Sequence, residues 1–168
     1  NMRTMKNIIL IAATVLSTAA FGQKLGHINS NKLLEAMPET ATSEKAINDF
    51  TTELENQLKA MSGEYQAKVQ DYQAKEATMT DAIKKIKISE ITDLENRISE
   101  FQQDAQSTIQ EKRNSLLNPI IDKARNAIEE VAKENNYTYV FDTGVGVLLY
   151  QKDSDDIMPL VKKKLGLL

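Results

Sequence analysis

The sequence predicts an α+β protein in which a long antiparallel helical coiled-coil hairpin projects as an arm from a small β body shared between copies. Three observations point there. From Thr40 to Glu134 the chain has no glycine but Gly63 and no proline but Pro119. Apolar residues recur along that run at alternating steps of three and four, close to the 3.5-residue period of a coiled-coil seam. The flanking stretches switch to short β-rich segments, too small to enclose a core within one copy, which predicts a shared, oligomeric body.

The N-terminus comes first. Arg3 and Lys6 precede the apolar run Ile8 to Leu16, and Ala20 and Gly22 stand two apart ahead of Gln23. Charged, then apolar, then small is the order of a cleavable secretory signal peptide, expected over residues 1–22. The apolar run falls short of the roughly 20 residues of a membrane span; an uncleaved anchor is the alternative. The rest of the chain carries 19 basic and 24 acidic residues, a formal charge of −5. That balance excludes nucleic acid as a general partner, because phosphate binding needs a basic field. With no cysteine there is neither a disulfide framework nor a thiolate metal site.

Leu25 and Ile28 sit in a short strand, Lys24 to Ser30. A turn or two of helix, 31–36, follows and ends at Met37-Pro38, since proline restricts the residue before it. Thr40 or Thr42 is placed to cap the outgoing arm helix. Its seam is Ile47, Phe50, Leu54, Leu58, Met61, Tyr65, Val69 and Tyr72. The returning seam is Ile83, Ile86, Ile91, Leu94, Ile98, Phe101, Ala105 and Ile109. The stretch Thr78-Met79-Thr80-Asp81 holds the best turn and cap residues in between, with Thr80 a candidate N-cap. A reversal near Met79 sets Phe50 against Ile109, Leu58 against Phe101 and Tyr65 against Leu94. A slip of one heptad would set Leu54 against Lys112. Beyond Leu116 the apolar stripe widens, implying burial against more than one neighbour, and Pro119 marks a kink at that change. Asn135-Asn136 ends the helix, asparagine tolerating a left-handed cap. Tyr137 to Phe141 reads as a strand, Asp142-Thr143-Gly144 as a turn, and Val145 to Tyr150 as a second strand. Asp156 can cap a last short helix with Pro159 in its first turn. The division expected is therefore a body from residues 24–40 and 115–168 and an arm from 41–114.

Little here carries chemistry. His27 is the only histidine, which excludes histidine triads and clusters, and its place in a strand reads as structural. No glycine-rich phosphate loop is present. The carboxylates sit on solvated helix positions. No cofactor, metal or catalytic group is expected, and the protein is not read as an enzyme. Lys75, Lys84, Lys85 and Lys87 form the one basic cluster, near the expected arm tip. It reads as a solvated face or as a contact for an anionic membrane surface.

The N-terminal leader, Lys24 to Pro38 (KLGHINSNKLLEAMP), the coiled arm, Asn118 to Asp142 (NPIIDKARNAIEEVAKENNYTYVFD) and Asp156 to Leu165 follow one another as in the Skp (OmpH-like) periplasmic chaperones, which this sequence resembles over the whole chain after the leader. The resemblance implies a homotrimer whose strands, with Leu25, Ile28, Tyr139, Phe141, Val147 and Leu149, build a shared body. It implies arms that hold unfolded outer-membrane β-barrel proteins in the periplasm without ATP. Phe50, Met61, Tyr65, Tyr72, Met79 and Phe101 would be the candidate client contacts, although such a stripe also packs a seam. Well-known members are basic, whereas this chain is acidic, which confines electrostatic capture of acidic clients to the lysine patch. The competing reading is a structural or adaptor coiled coil of the envelope. The body disfavours it, since a plain scaffold would not need one.

Overall fold

The computed structural model describes residues 23–167; the expected leader, residues 1–22, lies outside them. The elements are β1 (Leu25–Ile28), α1 (Ser30–Ala36), α2 (Pro38–Lys75), a 3-10 turn (Glu76–Thr78), α3 (Asp81–Glu134), β2 (Tyr139–Asp142), a second 3-10 turn (Asp153–Asp155) and α4 (Met158–Lys164). Compactness divides the chain into two units. Of the described residues, one holds 23–30 together with 126–167, and the other is Asn31–Arg125.

In the first unit β1 and β2 pair in parallel, Leu25 beside Tyr139 and Ile28 beside Asp142. Parallel neighbours require a crossover connection, here supplied by helices. β1 is bordered on its other side by the bridge from His27 to Asp156, where the Ile157 N–H donates to the His27 carbonyl at 2.9 Å. His27 is buried, with Nε2 2.7 Å from the Lys152 carbonyl oxygen, so its role is structural, as expected. Ile28, Val131, Ile157 and Val161 fill the core of this unit. Gly26 is required there: a Cβ on it would lie 2.9 Å from the Tyr137 ring and 3.1 Å from Ile157.

Two helix ends use the same physics. Asn136 takes φ 56°, its N–H reaches the Lys133 carbonyl, and the Tyr137 N–H reaches Ala132 at 2.9 Å. These paired bonds satisfy the last carbonyls of α3 as the asparagine-rich end predicts. Gly166, φ 70°, and Leu167 close α4 in the same way. The N-cap of α4 is Ile157 rather than the expected Asp156; the Asp156 carboxylate, one residue earlier, accepts from the Met158 N–H at 2.8 Å in a local turn that leads into the helix. Lys164 ties α4 to the end of α3 through Glu130 (3.0 Å) and Glu134 (2.6 Å), and those carboxylates raise its pKa.

Asp142 holds the largest polar knot. Its Oδ1 accepts from the N–H groups of Ser30 (3.1 Å) and Gly144 (2.8 Å), and its Oδ2 from the Ser30 hydroxyl (2.5 Å). Partial burial pushes this carboxyl up. The hydroxyl and the two backbone donors outweigh that and leave its pKa below the usual aspartate value. The one side chain thus closes the turn at Gly144 and fastens β2 to the start of α1.

The second unit is dominated by the hairpin of α2 and the residues of α3 up to Arg125. Met37 is extended (φ −83°, ψ 122°), as a residue before proline must be, and α2 starts at Pro38. The expected caps Thr40 and Thr42 therefore lie inside the helix. The Thr42 hydroxyl bonds back to the Pro38 carbonyl, and proline at the first position leaves fewer donors to cap. Thr80 does cap α3, accepting from the Ile83 N–H at 3.4 Å. α3 runs unbroken through Pro119 for 54 residues.

One expected element is absent. Residues 145–150 form no strand; β2 pairs with β1 instead of with them. The backbone turns at Gly146, φ 71°, whose N–H bonds back to the Thr143 carbonyl, and the segment beyond it pairs with neither strand of the sheet. Apolar alternation alone does not make a strand without a partner to hydrogen-bond.

Candidate functional site

With no described cluster of three or more metal-ligating side chains, and no described helix long and apolar enough to cross a membrane, the candidate surfaces are extended faces rather than a pocket of reactive groups.

In the first unit that surface follows β2. The parallel register and the alternation of side chains put Leu25, Tyr139 and Phe141 on one sheet face. All three are exposed, Tyr139 by 56%, and the two rings lie 6.4 Å apart. Val145, Val147, Leu149 and Tyr150 extend the apolar exposure, with Leu149 fully open. Of the residues expected to build the body, only Ile28 is buried within the chain itself. The edge of β2 away from β1 has no strand beside it among the described residues.

In the second unit the seam is thin. Ile47 and Leu94 are buried, while Phe50, Met61, Tyr65, Tyr72, Met79 and Phe101 are each half-buried. Two helices alone can cover only one side of each seam residue, so half-burial is what a two-stranded hairpin allows. Polar contacts fix its register. Lys68 reaches Glu90 across the hairpin at 3.1 Å, Lys123 pairs with Glu39, and the Lys112 ammonium stands 5.8 Å from the centre of the Phe50 ring. Hydrogen bonding from Lys68 lowers the pKa of Glu90, helped by the charges of Lys68 and Lys87.

The lysine cluster is partly neutralised. Lys75 pairs with Asp71, and Lys87 lies 3.8 Å from Glu90. Asp71 is held low by the Lys75 hydrogen bond first, with Lys87 adding to it. Lys85 is exposed and Lys84 half-buried. Ile83 and Ile86, expected in the seam, are instead exposed, Ile86 by 59%, together with Ile88. They lie in the first two turns of α3, beside the last turn of α2, which ends at Lys75, and the short turn Glu76–Thr78. The surface at the turn is thus a mixed apolar and basic hexamer, Ile83 to Ile88. Its composition was visible in the sequence, but the seam pattern masked its exposure.

A helical hairpin of this length attached in sequence to a small parallel β unit defines a narrow class of fold. The model of the outer membrane protein (OmpH-like) family matches residues 24–165, and the chain belongs to that family. It is similar to the chaperone protein Skp of Blochmanniella pennsylvanica (strain BPEN), 28% identical over 162 residues covering 94% of this chain and 95% of the relative. Against the chaperone protein Skp of Yersinia enterocolitica it is 27% identical over 175 residues, covering 95% and 99%. The fold is shared with the crystal structure of a chain described as an OmpH-like outer membrane chaperone from Caulobacter crescentus CB15, with a TM-score of 0.74 at 11% identity over 87% of this chain and 84% of that one.

Proposed function

We propose that this protein is an ATP-independent holdase chaperone of the periplasm. It encloses unfolded outer-membrane β-barrel proteins between the coiled-coil arms of a homotrimer and keeps them from aggregating. It performs no catalysis and needs no cofactor. The observation that carries this reading is the family match, which spans the residues of both units rather than the helical run alone.

The exposed apolar residues Leu25, Tyr139, Phe141, Val147 and Leu149, together with the open edge of β2, support the trimer. An apolar edge strand left open is an aggregation hazard, and sharing it among copies removes the hazard. In this reading residues 24–40 and 115–168 form the assembling body, and 41–114 the arm. The half-buried seam supports enclosure, because arms whose cohesion is low can part at low cost. Lys84 and Lys85 with exposed Ile83, Ile86 and Ile88 support contact of the turn with an anionic membrane surface.

The test is dilution of a urea-unfolded outer-membrane β-barrel protein into buffer with or without stoichiometric trimer. Suppressed light scattering is expected; scattering unchanged by the protein would refute holding. Deleting residues 55–104 shortens both hairpin helices by matched lengths. It should abolish holding and preserve the trimer mass, and a variant that falls to monomer would show the body to be misplaced.

A further inference from the structure

We infer that a cleft at the end of the hairpin remote from its turn is a docking site for an apolar side chain flanked by lysine or arginine in an unfolded client. The inference rests on the holdase reading and names the kind of client segment held.

The cleft lies within the second unit and measures about 320 Å³. Leu34 of α1 and Leu117, Ile120 and Ile121 of α3 make its apolar floor. Its existence follows from the sequence. Leu33 and Met37 point into the core and are fully buried, which leaves Leu34, their neighbour, on the open side. The widened stripe at Leu116, Leu117, Ile120 and Ile121 has more apolar surface than the short α1 can cover, and Ile121 stays exposed. A volume at the lower end for ligand pockets suits one or two side chains rather than a drug-sized molecule.

The rim is acidic. Glu35 and Glu44 line it, and neither makes an ion pair among the described residues. The contrast is Glu39, close in sequence to both, whose charge is met by Lys123. No basic side chain lines the cleft. Thr40 also lines it, and the Thr40 hydroxyl oxygen is shielded from solvent and has no hydrogen-bond partner.

Apolar floor and anionic rim together specify a short segment with a large apolar side chain between cationic ones. Membrane β-strands alternate apolar and polar residues, so when unfolded they offer many apolar side chains with polar neighbours. The rim selects those whose neighbours are basic and disfavours acidic ones. The −5 charge of residues 23–168 acts in the same direction.

The experiment uses the full-length protein and fluorescein-labelled octapeptides with Lys-Phe-Lys, Glu-Phe-Glu or Lys-Ala-Lys cores, read by fluorescence anisotropy at low and high salt. The Lys-Phe-Lys peptide is expected to bind tightest. Glu35→Gln with Glu44→Gln should weaken it roughly fivefold at low salt and remove most of its salt dependence. Both positions are exposed, so this variant should fold normally. Ile121→Lys should abolish binding of the phenylalanine peptide. Equal binding of the three peptides, or a double glutamine variant that still discriminates, overturns the proposal. So does a fall in assembly mass with Ile121→Lys accompanied by no peptide binding to the parent protein, because a second copy then fills the cleft. Client scattering is measured on the same samples. A parent protein that holds client without discriminating peptides sinks the cleft alone, and one that fails to hold client sinks the holdase reading.

Discussion

Replacing Asp142 tests whether one carboxylate joins β2 to the start of α1. Asp142→Ala removes the acceptor of three hydrogen bonds, two from backbone N–H groups and one from the Ser30 hydroxyl. Hydrogen bonds to charged groups are worth about 1.5–3 kcal/mol, and losing a helix cap costs about 0.5–2 kcal/mol. The three share one side chain and the site is only half-buried, so they do not add. We expect a loss of about 2 kcal/mol. Asp142→Asn keeps an oxygen for the two N–H donors, and the Ser30 hydroxyl can rotate to accept from the new amide; about 1 kcal/mol should be lost. The sign of the pH effect is fixed by the lowered pKa. A carboxylate whose folded pKa is depressed stabilises fully above its unfolded value of about 3.9. That stability disappears as pH falls through the folded pKa. The parent protein should therefore lose its advantage over Asp142→Asn from about pH 5 downward. Urea unfolding followed by circular dichroism, at one fixed protomer concentration across pH, measures both effects. An alanine variant within about 0.5 kcal/mol of the parent, or an asparagine variant with an unchanged acid limb, would refute the role assigned to Asp142.

Three further outcomes follow from the same structure. Gly26→Ala should cost about 1–3 kcal/mol in urea unfolding, because its Cβ meets the Tyr137 ring and Ile157 inside normal contact distance. A double-mutant cycle on Lys68 and Glu90 should give a coupling of about 0.2–1 kcal/mol that shrinks in high salt, since both side chains are at least one-third exposed; a salt-independent value would mean that the pair is packed rather than ionic. Leu94→Ala should cost about 2–3 kcal/mol. The half-buried Leu58→Ala should cost clearly less, and equal losses would show that seam burial is uniform instead of concentrated.

Much of the helical part was legible because its signals are local. The 3.5-residue period, the Thr80 cap, the extended residue before Pro38 and the left-handed Asn136 each depend on neighbours within one or two turns. The errors come from places where distant residues decide. Val145 to Tyr150 has the composition of a strand, but whether it becomes one depends on an edge to pair with. Thr40 looks like a cap until Pro38 starts the helix earlier. Ile83 and Ile86 continue the seam on paper, yet both are exposed where the hairpin reverses, just past the last turn of α2. The cleft was the least visible feature, because Leu34, Thr40, Glu44 and Ile121 are scattered in sequence and meet only through the packing of α1 against the hairpin.

The distribution of burial connects these features. A two-helix seam of about ten turns offers many apolar positions, yet of the expected seam residues only Ile47 and Leu94 are buried. At about 25 cal/mol per Å² of apolar surface removed from water, half-buried side chains contribute only part of their potential. The hairpin therefore keeps a reserve of apolar surface along its length, at Tyr65, Phe101 and Ile86 among others. A helix pair selected for rigidity would have hidden that surface against a third helix or replaced its outer positions with polar residues. The interhelical contacts that remain, Lys68 with Glu90 and Lys123 with Glu39, are polar and exposed. They specify which residues face each other while adding little energy. Register is thus held by charge and cohesion is kept low, so apolar surface can be lent to another chain without the hairpin losing its alignment.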